Sequence, residues 1–278
     1  MNRFIKLLNF EINRFSKIYA ALLAIIIVLQ FIGVIVESNS YVQGADRMMM
    51  ENRWTQEELI KNNGKAGFTL IMDSFWFAGP IAIAAAALIF YIFLIWYREW
   101  YGKNTFIYRL LMLPVSRYSI YFAKASAIFL MVLGLVGIQI LLLPLENELF
   151  EAIVPADFRD VLAVKDLIHS NIITSTLIPA TFTQFVLHYL AGLMAVFTLF
   201  TAILMERSYR LKGILLGIVY CAAVLAFFIS PLIIPAVLDM GDFFYPVEFL
   251  VLEIILGLIA SACSIVIGQK LLNKKVSV

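Results

Sequence analysis

Apolar residues gather in six runs, each near or above the roughly 20 residues that carry a helix across a bilayer, with polar stretches between them. The runs predict spans over about 18–36, 75–96, 118–143, 182–205, 214–238 and 249–271. None alternates with a period of two, so helices are expected rather than barrel strands. The fold class is all-α: a polytopic membrane protein whose residues 1–278 form a single transmembrane domain.

The polar stretches predict further elements. In residues 1–17, Phe4, Ile5, Leu8, Ile12 and Phe15 recur at helical spacing, with Arg3, Lys6, Glu11, Arg14 and Lys17 mostly elsewhere. This pattern fits an amphipathic helix on the membrane surface, the alternative being a plain basic flank to the first span. Within 37–74, Ala45–Lys61 reads as a solvated helix, and Asn62-Asn63-Gly64 as a turn. Met48, Met49 and Met50 form either a soft contact surface or packing against the adjacent span tops. Pro144 is expected to end the third span, and Phe158–His169 to form a short surface helix. Pro231 and Pro235 predict a break near Ser230, followed by a short helix dipping back before the last span.

Tyr97–Lys124 is a charged and aromatic interruption between two long apolar runs. Asn104 or Thr105 can cap a helix over Phe106–Leu113, Pro114 stops it, and Ser116 caps the helix that follows. Such a membrane-proximal helix either receives a push from a soluble partner or simply lies among the headgroups. Lys124, near the inner end of the third span, is expected to reach the headgroups along its own stem.

Composition agrees with this layout: 63% hydrophobic residues, 14% charged and a mean hydropathy of +0.93 exclude a soluble domain. The net charge of +2 says little, but its distribution says more. Segments 1–17, 97–117, 206–212 and 270–275 hold 14 Lys or Arg and three acids; the segments on the other side hold six basic residues and 15 acids. By the positive-inside rule both termini are cytosolic. Cys221 and Cys263 lie in apolar runs and read as free thiols. The long first apolar run and the lack of a small-residue cleavage site argue against a cleaved signal.

Catalytic motifs are missing. Gly64-Lys65 and Gly102-Lys103 lack the rest of a phosphate-binding loop, and the two histidines, His169 and His188, exclude a zinc HExxH site. The chain is expected to be no enzyme and to hold no metal or cofactor. No internal or inverted repeat is apparent, against the usual plan of secondary transporters. Besides Lys124, His188 and Glu253 sit inside spans, and similar depth makes a polar cluster with Gln184 or Thr183 possible at the outer side. The plainer alternative leaves Glu253 in the headgroups and His188 on a neighbouring carbonyl.

Leu113-Pro114-Val115-Ser116-Arg117, followed by Ile120, Tyr121 and Lys124, resembles the segment after the second span of type 2 ABC exporter permeases. The resemblance implies that loop 97–117 carries a coupling helix docking on a cytosolic ABC ATPase subunit, which binds ATP and Mg. Glu99, Lys103, Phe106, Arg109, Leu110, Leu113 and Arg117 would make that contact. It further implies an elbow after the interfacial helix, a re-entrant outer segment, and pairing with a second copy or a paralogue. The small residues Gly79, Ala82 and Ala86 in the second span and the Gly213–Gly217 pair in the fifth fit close helix packing or the pathway. The expected function is a permease subunit exporting a hydrophobic or amphipathic substrate, such as a peptide antibiotic, lipid or drug, across a bacterial plasma membrane. It would contact membrane lipid and no nucleic acid. Two rivals remain: a sensor or scaffold binding a soluble partner without transport, and an autonomous ion-coupled transporter.

Overall fold

The computed structural model describes residues 2–100, 116–237 and 245–274. In chain order these form α1 (Asn2–Asn52), α2 (Gln56–Asn63), α3 (Thr69–Met72), α4 (Phe75–Trp100), α5 (Arg117–Ile153), α6 (Val164–Ser170), α7 (Ile172–Leu177), α8 (Phe182–Tyr209), α9 (Leu211–Val237) and α10 (Pro246–Lys274). Helices α1, α4, α5, α8, α9 and α10 are long and apolar enough to cross a membrane, as the six apolar runs predict. This is the make-up of a multi-pass membrane protein.

Four expected breaks are absent. Helix α1 runs 51 residues without interruption, where the family resemblance implies an elbow after the interfacial helix and the polar pattern predicts a separate helix from Ala45. No proline interrupts it, and it stops only at Arg53, whose φ of 55° lies in the left-handed region. A fresh helix begins where Thr55 and Glu58 form a capping box, and that helix ends at Gly64 with φ 77° at the expected turn. Pro144 does not end α5, and Pro231 and Pro235 do not break α9. A proline forfeits one hydrogen bond, whereas ending a helix in apolar surroundings strips several backbone groups of partners. The re-entrant segment falls partly on 238–244, outside the described residues, and the described residues up to Val237 belong to α9. Ser116 does cap α5, accepting from the Ser119 amide at 3.4 Å.

The chain divides into two compact units. One comprises Phe15–Ala87 and Met131–Phe185. Its core gathers Val34 and Ala45 of α1, Leu59 of α2, Phe68, Ile71 and Met72 around α3, and Leu143 and Phe150 of α5. Phe68 and Phe150 meet edge to face at 6.0 Å. Met49 packs on this core, as the packing alternative predicts, while Met50 is 80% exposed. The Ala66 amide donates to the Phe158 carbonyl, and the Asn171 amide group donates to the Met72 carbonyl and to Asp73. The expected helix over Phe158–His169 is displaced to α6 and α7. Elsewhere in this unit, Ala84 and Ala87 of α4 pack against Leu22 and Ile26 of α1, whereas Ala82 and Ala86 are exposed. Gly79 faces the Phe75 ring of its own helix. Gln30 donates to Gln139 at 3.1 Å, joining α1 to α5.

Glu146 of α5 is fully buried in this unit, and neither carboxylate oxygen has a hydrogen-bond partner among the described residues. An unsatisfied buried polar group costs about 1–3 kcal/mol, and an apolar group of similar shape avoids that cost. Glu146→Met is therefore expected to raise the thermal midpoint of the detergent-solubilised protein by several degrees. A lowered midpoint would mean that the carboxylate has a partner beyond the described residues.

Candidate functional site

The second unit comprises Met1–Arg14, Leu88–Leu130 and Val186–Val278. Its most unusual chemistry is a buried ionic network where α1, α4 and α5 meet. The first turns of α1 bring Glu11 and Arg14, the last turn of α4 brings Arg98 and Glu99, and the second turn of α5 brings Lys124. Lys124 and Glu99 are fully buried and Glu11 is 2% exposed.

Lys124 is the hub. Its ammonium donates to Glu11 at 2.6 Å, to Glu99 at 3.1 Å and to the Ile95 carbonyl at 3.0 Å. These three acceptors match the three donors of an ammonium, so its hydrogen-bonding capacity is filled. It also lies 5.3 Å from the centre of the Trp96 ring. Arg14 bonds Glu99 at 2.7 Å, Arg98 bonds Glu11, and the Arg98 guanidinium sits 5.5 Å above the Tyr91 ring. The expectation that Lys124 reaches the headgroups is thus corrected: its ammonium is turned inward to two carboxylates. An ionised group inside an apolar bundle is held there only if oppositely charged and hydrogen-bonding partners surround it.

Around this network the helices are pinned by aromatic and hydroxyl contacts. Trp96 meets Phe200 edge to face at 5.4 Å, and Tyr121 stacks on Phe197 at 5.9 Å while its hydroxyl donates to the Phe197 carbonyl at 3.2 Å. Thr201 of α8 donates to the Ser264 carbonyl of α10 at 2.7 Å, and the Tyr220 hydroxyl of α9 bonds the Ser264 hydroxyl at 2.7 Å. Tyr97 donates to Glu206, and Arg207 lies over the Tyr97 ring at 4.6 Å, tying α4 to α8. Arg117 donates to the Leu272 carbonyl in the last turn of α10.

The predicted site residues fall into four groups. Glu99 is buried in the ionic network and Arg117 is engaged on α10, while Lys103, Phe106, Arg109, Leu110 and Leu113 lie outside the described residues. Gly213 and Gly217 line α9 where it meets α8, closest to Met205 and Ala202. Gln184 and His188 are exposed, Glu253 is half-buried, and no hydrogen bond or ion pair joins His188 to Glu253 among the described residues. Gly79, Ala82 and Ala86 belong to the other unit, where Gly79 faces the Phe75 ring and the two alanines are exposed.

Sequence reasoning assigned Glu11 to a solvated face and so missed the pairing. A signal was present: Glu11 is the lone acid of the basic stretch 1–17, and Glu99 the lone acid of 97–117. A single carboxylate in a positive segment, near an intramembrane lysine, is a natural counter-ion.

The arrangement binds helices and holds charge; it contains no nucleophile–base pair, and among the described residues no group of His, Cys, Asp and Glu could hold a metal ion. No protein-family model, curated protein or solved structure matches this chain.

Proposed function

We propose that the chain is the membrane-spanning subunit of an ATP-driven ABC exporter, working with a second copy or a paralogue and with cytosolic ATPase subunits. Cargo is hydrophobic or amphipathic, and both termini face the cytosol of a bacterial cell. The segment 97–117 is the coupling loop.

The observation that carries this reading is how the loop's flanks are held. Glu99, on the side of α4, and Lys124, on the side of α5, belong to one buried network that also grips Glu11 and Arg14 of α1. Arg117, at the loop's end, bonds the last turn of α10. A force applied to the loop is therefore delivered to the ends of several helices together, as a mechanical coupling needs. A loop that only rested in the headgroups would need no such anchorage.

The test is purification from the native host in mild detergent, followed by identification of soluble proteins in stoichiometric amount. Wild type is expected to retain an ATPase with a phosphate-binding loop, and Arg109→Glu and Leu110→Asp are expected to lose it while keeping their own yield. Retention of a soluble partner that hydrolyses no ATP would favour the scaffold reading instead. Absence of any partner, together with cargo flux driven by an ion gradient, would favour the autonomous transporter.

A further inference from the structure

The turn between α8 and α9 carries an open cavity of about 370 Å³ lined by Trp100, Glu206, Arg207, Arg210, Leu211 and Ile214. That volume lies within the roughly 300–1,000 Å³ of small-molecule sites. The turn is built tightly. Arg210 takes φ 57°, its amide donates to the Glu206 carbonyl at 2.8 Å, and its own carbonyl receives the Gly213 and Ile214 amides. This geometry places two arginines at one mouth, with Lys212 exposed beside them.

Charge and apolar surface are separated around the cavity. The Arg207 guanidinium is held over Tyr97 at 4.6 Å and Trp100 at 5.7 Å, which fixes its plane. Glu206, the acid in the lining, is engaged by the Tyr97 hydroxyl. Below the mouth, Leu211, Ile214, Leu215 and Ile218 of α9 are 83%, 45%, 66% and 63% exposed, a continuous apolar face. Both helices are long enough to cross a bilayer, so the turn joining them lies at a membrane boundary, where tryptophan is favoured.

We propose that this cavity binds the phosphate of an anionic phospholipid, with an acyl chain laid along the apolar face of α9. The charge is complementary: Arg207, Arg210 and Lys212 outweigh Glu206, and the arginine fork suits phosphate oxygens. A free phosphate would use the arginines alone, whereas a lipid also covers the leucine and isoleucine face that begins at the same mouth. Basic pockets between membrane helices recognise anionic headgroups in this way. The proposal does not depend on the exporter reading.

The full-length protein in neutral detergent micelles is titrated with short-chain phosphatidylglycerol, with short-chain phosphatidylcholine and with inorganic phosphate, following bound lipid by native mass spectrometry and the thermal midpoint. Saturable phosphatidylglycerol binding that raises the midpoint is expected, with phosphatidylcholine and phosphate much weaker. Arg210→Asn, whose side chain tolerates the left-handed conformation, is expected to weaken phosphatidylglycerol about fivefold, the effect of one basic residue near an anionic surface. Ile214→Asp should weaken it at least as much. Both positions are exposed, so each variant should keep the lipid-free midpoint of the wild type. Equal binding of the two lipids, or full affinity in both variants, overturns the site. Phosphate binding as tight as phosphatidylglycerol, with Ile214→Asp unaffected, overturns the lipid assignment.

Discussion

Lys124→Met is expected to destabilise the protein by about 3 kcal/mol, near the low end of what removing one partner from a buried ion pair costs. Methionine keeps the length of the side chain, so little cavity is made, and the loss is electrostatic. Glu11 and Glu99 stay buried after their shared ammonium is gone, with only Arg98 and Arg14 left on them. The thermal midpoint at a fixed scan rate should fall by on the order of 10 °C. Adding Glu99→Gln should recover more than half of the loss, because it removes one of the stranded charges. A lysine reaching the headgroups behaves differently: its removal would cost less than about 1 kcal/mol, as exposed ion pairs do. A midpoint within a degree or two of wild type would therefore refute the buried network, and with it the anchorage invoked for the coupling loop.

Gly213→Ala is expected to cost about 3 kcal/mol, the upper part of the range for overpacking. An added Cβ there would lie 2.1 Å from the Met205 carbonyl oxygen and 2.7 Å from the Glu206 Cα, both backbone atoms that cannot rotate away. Helices α8 and α9 would have to part at the very turn that joins them. Two further glycines calibrate the effect. At Gly217 the nearest atom is the Ala202 carbonyl oxygen at 3.1 Å, so a shift of a few tenths of an ångström suffices and a loss under about 1 kcal/mol is expected. Gly44, inside α1 about two turns before its end, has nothing within 4 Å of a Cβ, and alanine there should stabilise by up to about 1 kcal/mol through helix propensity. The order Gly44→Ala, Gly217→Ala, Gly213→Ala from most to least stable, read in one series of thermal scans, checks the packing. An unchanged midpoint for Gly213→Ala would mean that α8 and α9 do not meet as described. The same close approach shapes the arginine-lined cavity, so the Gly213 variant should lose phosphatidylglycerol binding together with its stability.

Much of the fold was legible because its signal is local. A stretch of apolar residues long enough to cross a bilayer declares itself within its own window: α4, α8, α9 and α10 lie within a few residues of the expected bounds at both ends, α5 begins at its expected start and runs past its expected end, and α1 overruns both. Turn chemistry was legible for the same reason: Gly64 takes a positive φ where Asn62-Asn63-Gly64 signalled a turn, and Ser116 caps α5. Proline misled. Pro144, Pro231 and Pro235 carry a strong breaking tendency in water, but apolar surroundings reverse the balance, since a helix that stops there leaves its backbone bare.

Local pattern along the chain is enough for the class of the protein, the number and approximate extent of its long apolar helices, and the uneven division of charge between the segments that join them. Tertiary structure alone decided which charges are spent on one another. Glu11 and Lys124 stand 113 residues apart and Arg14 and Glu99 stand 85 apart, so no window on the chain contains either pair. Their meeting depends on which faces of α1, α4 and α5 turn toward each other, and three-dimensional packing sets that rotation. The same holds for the α8–α9 mouth, where Trp100 arrives from a helix a hundred residues earlier to complete a site whose arginines are neighbours in sequence. Burial then supplies the physical selection: a charge removed from water must find its partner, and only the folded bundle says which one is within reach.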